Sequence, residues 1–301
     1  MQLAILGLGR MGKNMALHLR ERGHDVLGWN RGAEPREEIA RAGCRTVDDH
    51  RKVAGLLSPP RVLWCMLPAG EPTETVISEV LPTLAPGDIL INGANQHFKD
   101  TLRQNARVSA TGVRFLDVGV SGGTLAHEMG GYCCMIGGDE SAFRHVEPIL
   151  RSLCVPEGYL HTGASGSGHY VKMVHNGVEY AMMQAISEGF HLLKHGQYPA
   201  LDLRAIAHVY NHGSILTGTL MTATERALAK DPELRDVVPY VDDTGEGRWT
   251  VLEAIDHNVP ASTIAHALFE RMTSRDPEGF AYRLIAAQRN AFGSHAIHKK
   301  Q

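Results

Sequence analysis

The sequence contains no apolar run near the roughly 20 residues that a bilayer-spanning helix needs, so no membrane partner is expected. No excess of one charge stands out either. Thirty Lys and Arg oppose 33 Asp and Glu for a net charge of −3, and no basic run interrupts that balance, which argues against a nucleic-acid surface. Cysteine is scarce. Cys44, Cys65, Cys133, Cys134 and Cys154 form no C-x-x-C pair, which points to reduced thiols inside a cell. Cys133 and Cys134 fall in an apolar strand and read as core. The first residues carry no basic leader and turn glycine-rich at once, so a signal peptide is not expected and a cytoplasmic protein is. Histidines are plentiful, yet the pairs His191/His195 and His208/His212 lack the carboxylate of H-E-x-x-H and a third ligand, so no metal is expected.

What is present is an ordinary globular balance, 43% apolar and 21% charged over 301 residues, enough for two domains with a core each. The first half alternates short β-rich runs (3–6, 25–29, 61–67, 88–91, 114–118 and 132–136) with helical stretches such as 11–22 and 72–84. That alternation implies βαβ units and a largely parallel, Rossmann-type sheet. After residue 160 the strand signals vanish. A proline-free helical segment covers 167–195, and further helical stretches cover 201–212, 215–229, 249–257, 261–273 and 278–292. The reading is an α/β dinucleotide-binding domain over 1–165, then an all-α substrate and dimerisation domain over 166–301.

Gly7-Leu8-Gly9-Arg10-Met11-Gly12 is a G-x-G-x-x-G between a strand and a helix. Gly7 allows the tight turn, Gly9 admits a pyrophosphate and Gly12 lets helix pack on strand, with the anion at the helix N-terminus. The second strand ends Gly28-Trp29-Asn30-Arg31 with no carboxylate. Asn30 suits a ribose oxygen and Arg31 a 2′-phosphate, which favours NADP and leaves NAD open. Further on, a helix over 167–195 puts Lys172, His175, Asn176 and Glu179 at i, i+3, i+4 and i+7, on one face. Val171, Val174 and Val178 read as its packing side. Spacing alone leaves open whether this is a site or a solvated stripe with a Lys–Glu pair.

Lys172-Met-Val-His-Asn-Gly-Val-Glu-Tyr180, preceded by Gly166-Ser-Gly-His-Tyr170, resembles 6-phosphogluconate dehydrogenase. So do Leu116-Asp-Val-Gly-Val-Ser-Gly-Gly123, Gly245-Glu-Gly-Arg-Trp-Thr250 and Gln288-Arg-Asn-Ala-Phe-Gly-Ser-His295, and the length is similar to the short bacterial branch. The resemblance implies oxidative decarboxylation of 6-phosphogluconate to ribulose 5-phosphate and CO2, in gluconate use and the pentose phosphate pathway, by a homodimer or higher homo-oligomer. It implies Lys172 as general base, which needs an amine pKa lowered toward neutrality, and Glu179 as the acid that protonates C1, with its pKa raised by burial. Asn176 and His175 join them in the catalytic set. It also implies Ser121, Gly122 and Gly123 around the sugar carboxylate, Asn95 at substrate and cofactor, and Tyr180, Arg248, Arg271, Arg289 and His295 around the phosphate. Arg10, Met11, Leu67 and Pro68 complete the cofactor set. The loop Asn92-Gly-Ala-Asn-Gln-His97 departs from the family's Asp-Gly-Gly-Asn-Ser at Asn92, Ala94 and Gln96. Two other readings remain: a non-decarboxylating β-hydroxyacid dehydrogenase, which would need neither Glu179 nor the arginines, and a non-catalytic NADPH-binding regulator, which would not need the polar helix face.

Overall fold

The computed structural model describes every residue except His127, Pro199, Ser294, His295, Ile297 and residues 299–301. It divides into two compact units, Met1–Asn176 and Gly177–Gln301. The first holds eight strands: β1 (Gln2–Leu6), β2 (Asp25–Trp29), β3 (Arg45–Val47), β4 (Val62–Cys65), β5 (Ile89–Asn92), β6 (Arg114–Ser121), β7 (Tyr132–Gly138) and β8 (Cys154–Gly163). They lie in one sheet in the order β3-β2-β1-β4-β5-β6-β7-β8. All neighbours are parallel except β6 and β7.

Side chains alternate across a strand, and β1 shows the result: Leu3 and Ile5 enter one apolar core, Ala4 and Leu6 the other. Both faces are therefore covered, as parallel sheets require. The helices α1 (Arg10–Glu21), α2 (Ala33–Arg41), α3 (Glu71–Val80), α4 (Phe98–Ser109) and α5 (Glu140–Leu153) supply the cover. The sequence reading missed the two edge strands. β3 is three residues long with two of them exposed, and β8 is half-exposed along most of its length, so neither needs the apolar run that marks a central strand. Cys134 is core as expected, but Cys133 beside it is exposed, because successive strand residues face opposite ways.

Before β5, buried Asp88 accepts hydrogen bonds from the Ala85 and Arg61 backbone N–H groups (2.9 and 2.8 Å) and from the Arg61 guanidinium (2.8 Å). Burial works to raise its pKa, but these bonds and the Arg61 charge outweigh it and hold the carboxyl below the usual range. A depressed carboxylate pKa stabilises the fold above the unfolded-state value of about 4 and loses that contribution as pH falls through the folded value. Asp88→Ala is expected to cost about 3 kcal/mol at neutral pH and to flatten the acid limb of the stability curve, measured by urea unfolding between pH 3 and pH 7.

Helix α6 (Ser167–His195) starts in the first unit and ends in the second. The second unit adds α7 (Leu203–Tyr210), α8 (Thr219–Lys230), α9 (Glu246–Asp256), α10 (Ser262–Ser274) and α11 (Phe280–Gly293), with no strand among its described residues. Its cores are small. Tyr180, Ala267 and Leu268 form one, and Ala207, Met221 and Leu228 another. Ile255, Phe269, Phe280, Tyr282 and Ile285 all remain exposed in the single chain. No helix among the described residues is long and apolar enough to cross a membrane.

Candidate active site

The glycine loop links β1 to α1. Gly7 has φ +104°, and a Cβ there would sit 2.4 Å from the Met66 carbonyl oxygen. A Cβ on Gly12 would lie 2.0 Å from the Gly7 oxygen, so only glycine lets α1 begin this close to the loop. Gly9 has nothing within 4 Å of its virtual Cβ, and α1 has neither a side-chain cap nor an acidic residue in its first turn. The start of α1 is therefore uncapped by any side chain and open beside Gly9, at the positive end of the helix dipole, which fits a pyrophosphate. Arg10 is exposed and Met11 half-buried at this helix start.

Asn30 does something the sequence did not indicate. Its Oδ1 accepts from the Leu8 N–H at 3.0 Å, and its Nδ2 reaches the Gly32 carbonyl at 3.4 Å, so its amide braces the glycine loop. Arg31 next to it is exposed. Leu67 and Pro68 follow β4, and the Leu67 side chain closes against Gly7. The Pro68 carbonyl accepts from the Thr73 hydroxyl at 2.8 Å. All these groups sit at carboxyl ends of strands around β1 and β4, where the strand order reverses, the crevice in which open α/β sheets bind ligands.

At the root of α6 the packing is closer still. A Cβ on Gly168 would fall 2.5 Å from the Asp117 oxygen, 2.6 Å from the Gly137 nitrogen and 2.6 Å from the Met135 oxygen. Fully buried Asp117 turns its carboxylate to this end, accepting from the Gly166 N–H at 2.7 Å and the His169 N–H at 2.9 Å. It thereby satisfies donors that every helix start leaves unpaired. On β6, Gly119 makes room for Lys172, since a Cβ there would lie 2.3 Å from the Lys172 Cβ. Asp117 and Gly119 both stand in the motif quoted above, but only the tertiary contact assigns them these tasks.

The consequence is an inward-facing amine. Lys172 is 5% exposed, whereas Val171 and Val178 are exposed and Val174 is half-buried. The expected packing face was wrong: the glycine contacts turn the polar side of α6 inward. Lys172 Nζ donates to Asn176 Oδ1 at 2.7 Å and lies 3.3 Å from His175 Nδ1, itself 3.0 Å from that same oxygen. His175 Nε2 is 3.2 Å from Ser121 Oγ. Next to Ser121, the Val120 backbone is gripped by Asn95, which accepts from its N–H at 3.0 Å and donates to its carbonyl at 3.2 Å. Asn95 holds φ +47° to do so. Gly122 and Gly123, at φ +122° and +54°, turn the chain after β6. Lys172, His175, Asn176 and Ser121 thus come together in the first unit, with Asn95 alongside.

Within the second unit, Glu179 is half-buried on α6. Buried Tyr180 lies under the Arg271 guanidinium, 3.4 Å from its ring centroid, a cation–π stack, and Arg271 also donates to the Asp242 carbonyl at 2.8 Å. A Cβ on Gly247 would strike the Tyr180 ring at 2.3 Å. Arg248 is held at both Nε and Nη2 by Asp243, at 3.1 and 2.7 Å. Burial works to raise the Asp243 pKa, but Arg248 and the Gly245 N–H bring it below the usual carboxylate range. Arg289 is exposed on α11, and His295 lies outside the described residues. No group of three or more His, Cys, Asp or Glu among the described residues is arranged to hold a metal.

Comparison with known proteins bears on this arrangement. Residues 2–160 match the family profile described as the NAD binding domain of 6-phosphogluconate dehydrogenase, and residues 168–280 match that enzyme's C-terminal domain. The chain is 39% identical over 300 residues to YqeC of Bacillus subtilis (strain 168), provisionally named a 6-phosphogluconate dehydrogenase, with all of both chains covered. It is 37% identical to the NAD(+)-dependent, decarboxylating 6-phosphogluconate dehydrogenase of Haloferax volcanii, covering 100% of this chain and 99% of that one. The Plasmodium falciparum 6-phosphogluconate dehydrogenase, described in apo form and in complex with NADP+ and with 6-phosphogluconate, superposes with a TM-score of 0.82 at 30% identity, covering 100% of this chain and 66% of that one.

Proposed function

The chain belongs to the 6-phosphogluconate dehydrogenase family, and on that premise we propose that it oxidises and decarboxylates 6-phosphogluconate to ribulose 5-phosphate and CO2 with NADP as oxidant. The observation that carries the reading is the buried Lys172 amine, braced by Asn176 and His175, with Ser121 on the far side of the imidazole. Lys172 takes the C3 hydroxyl proton, a step that requires an uncharged amine; its 5% exposure removes the water that would stabilise an ammonium. The bound nicotinamide supplies the hydride acceptor. Once protonated, Lys172 donates to the C3 carbonyl oxygen and draws off the electron pair released as the C1–C2 bond breaks and CO2 leaves. Glu179 then delivers a proton to the enediol carbon that becomes C1 of the product, while the proton on the neighbouring enediol hydroxyl returns to the Lys172 amine and leaves the ketone. No metal is needed, because the ammonium serves as the electrophile at the carbonyl oxygen.

Ser121 and the N–H groups of Gly122 and Gly123 hold the sugar carboxylate, with Asn95 beside them. Tyr180, Arg248, Arg271, Arg289 and His295 take the phosphate; Arg271 is pre-oriented by the Tyr180 ring, while Arg248 shares its charge with Asp243. Gly7, Gly9, Arg10, Met11, Gly12, Asn30, Arg31, Leu67, Pro68 and Asn95 hold the cofactor. The helical substrate and dimerisation domain is taken from residue 166, and the uncovered apolar side chains of α9 to α11 support a homodimer. The protein is assigned to the cytoplasm.

Purified protein given NADP and 6-phosphogluconate is expected to release NADPH and CO2 in equal amounts and to leave gluconate nearly untouched; reduced cofactor without CO2 would sink the decarboxylating reading. Exposed Arg31, with no carboxylate at the strand end, supports NADP. Arg31→Ala should weaken NADP binding about tenfold and NAD binding little, by fluorescence titration with each. Equal losses would transfer the preference elsewhere.

A further inference from the structure

Behind the loop Asn92–His97 lie five polar side chains, Asn92, Gln96, Thr101, Gln104 and His169, each no more than 2% exposed. The donor and acceptor roles of these groups are set at the rim, and Gln96 donates toward both ends. The Glu74 carboxylate has only acceptor oxygens, so Gln104 must present its amide NH2, with Nε2 2.8 Å from Glu74 Oε1. That leaves Gln104 Oε1 facing inward, where it accepts from Asn92 Nδ2 at 2.7 Å and from Gln96 Nε2 at 2.9 Å. Asn92, oriented this way, turns its own Oδ1 to the Ala94 N–H at 2.9 Å. The second hydrogen on Gln96 Nε2 goes to Thr101 Oγ1 at 3.1 Å. The Thr101 hydroxyl hydrogen is then free to reach His169 Nδ1, 2.7 Å away.

We propose that Gln104, Gln96, Thr101 and His169 are positioning residues: a hydrogen-bond relay whose donor and acceptor roles are all fixed from Glu74, and that holds His169 as the neutral Nε2–H tautomer and fixes both the substrate loop and the root of α6. This rests on the roles given above to Asn95 and Lys172. One end of the relay sets Ala94, which leads into Asn95 and its grip on Val120 beside Ser121. The other end sets His169, three residues before Lys172 on α6, whose N–H is held by Asp117. Burial lowers the His169 pKa against the opposing pull of the Asp117 charge and of the Asn92 and Val118 backbone, in keeping with a neutral ring. Asn92 and Gln96, two of the loop's departures from the family pattern, share one acceptor, the Gln104 oxygen. They form a matched set with Gln104, so changing one reverses a donor that the others require.

Two measurements test the relay. The first is the tautomer of His169 in the intact protein, read from 15N-imidazole shifts and assigned with Thr101→Val. The expected state is Nε2–H at neutral pH; Nδ1–H or a cation overturns the relay even in a fully active enzyme, and the measurement needs no substrate, so it stands apart from the functional reading. The second is a swap. Gln104→Glu places two carboxylates face to face and should lower kcat/KM for the sugar acid about tenfold. Adding Glu74→Gln restores a donor facing an acceptor while keeping the net charge, and should recover most of that loss. Asn92→Asp, a milder change, should lower kcat/KM in the same way without loss of folding. A swap no better than the single variant, together with an Asn92→Asp enzyme of full efficiency, overturns the relay.

Discussion

Lys172→Met is expected to reduce turnover of the sugar acid about a thousandfold or more, while the dissociation constant for NADP stays within about twofold. Methionine fills nearly the same volume in a site that is 5% exposed, so the fold should tolerate it. What it removes is a group that both accepts the hydroxyl proton and returns as a cation to the carbonyl oxygen, so two steps fail together. The cofactor contacts lie in the glycine loop, at other strand ends, and should be unaffected. Steady-state kinetics alongside a cofactor titration decide the matter: turnover within tenfold of the parent would remove Lys172 from the base role.

Gly168→Ala is expected to be nearly as damaging by another route. The added methyl would lie 2.5–2.6 Å from three backbone atoms, on Asp117, Gly137 and Met135, none of which can rotate away. Either the sheet yields or the first turn of α6 lifts off it, breaking the bonds from Asp117 to Gly166 and His169. A stability loss of about 3 kcal/mol or more follows from overpacking of this kind. Because the same turn sets the height of Lys172 above Gly119, turnover should fall in the folded fraction as well. A melting curve and an assay well below the melting temperature separate the two effects, and an unchanged melting temperature would show that the approach is looser than the distances imply.

Much of this architecture was legible in the chain. Central strands such as β1, β4 and β5 are buried on both faces and so carry apolar runs, and α6 was read at its full extent because nothing in 167–195 interrupts a helix. The edge strands β3 and β8 were missed because one-sided neighbours demand less of their side chains. The valines of α6 were assigned inward on hydropathy, when the close approach at Gly119 and Gly168 puts the lysine there instead. Sequence spacing placed Lys172, His175 and Asn176 on one side of a helix, but it could not supply Ser121, 54 positions from His175, or the amide of Asn30 folded back on Leu8. Arg248 was placed at the phosphate, but its partner Asp243, five positions away and holding two of its nitrogens on one oxygen, leaves no periodic trace.

Cys133, the exposed member of the vicinal cysteine pair, stands directly across from Ser121 in the antiparallel β6–β7 ladder, so both side chains leave the sheet on the same face. The other four cysteines are buried. Partial desolvation raises the Cys133 pKa, with the Cys154 charge adding to it and Lys172 opposing, so the thiol reacts slowly near neutral pH. The protein therefore carries a native attachment point for a fluorophore at the edge of the serine–glycine turn. A probe placed there would report ligand arrival optically, with no residue introduced for the purpose.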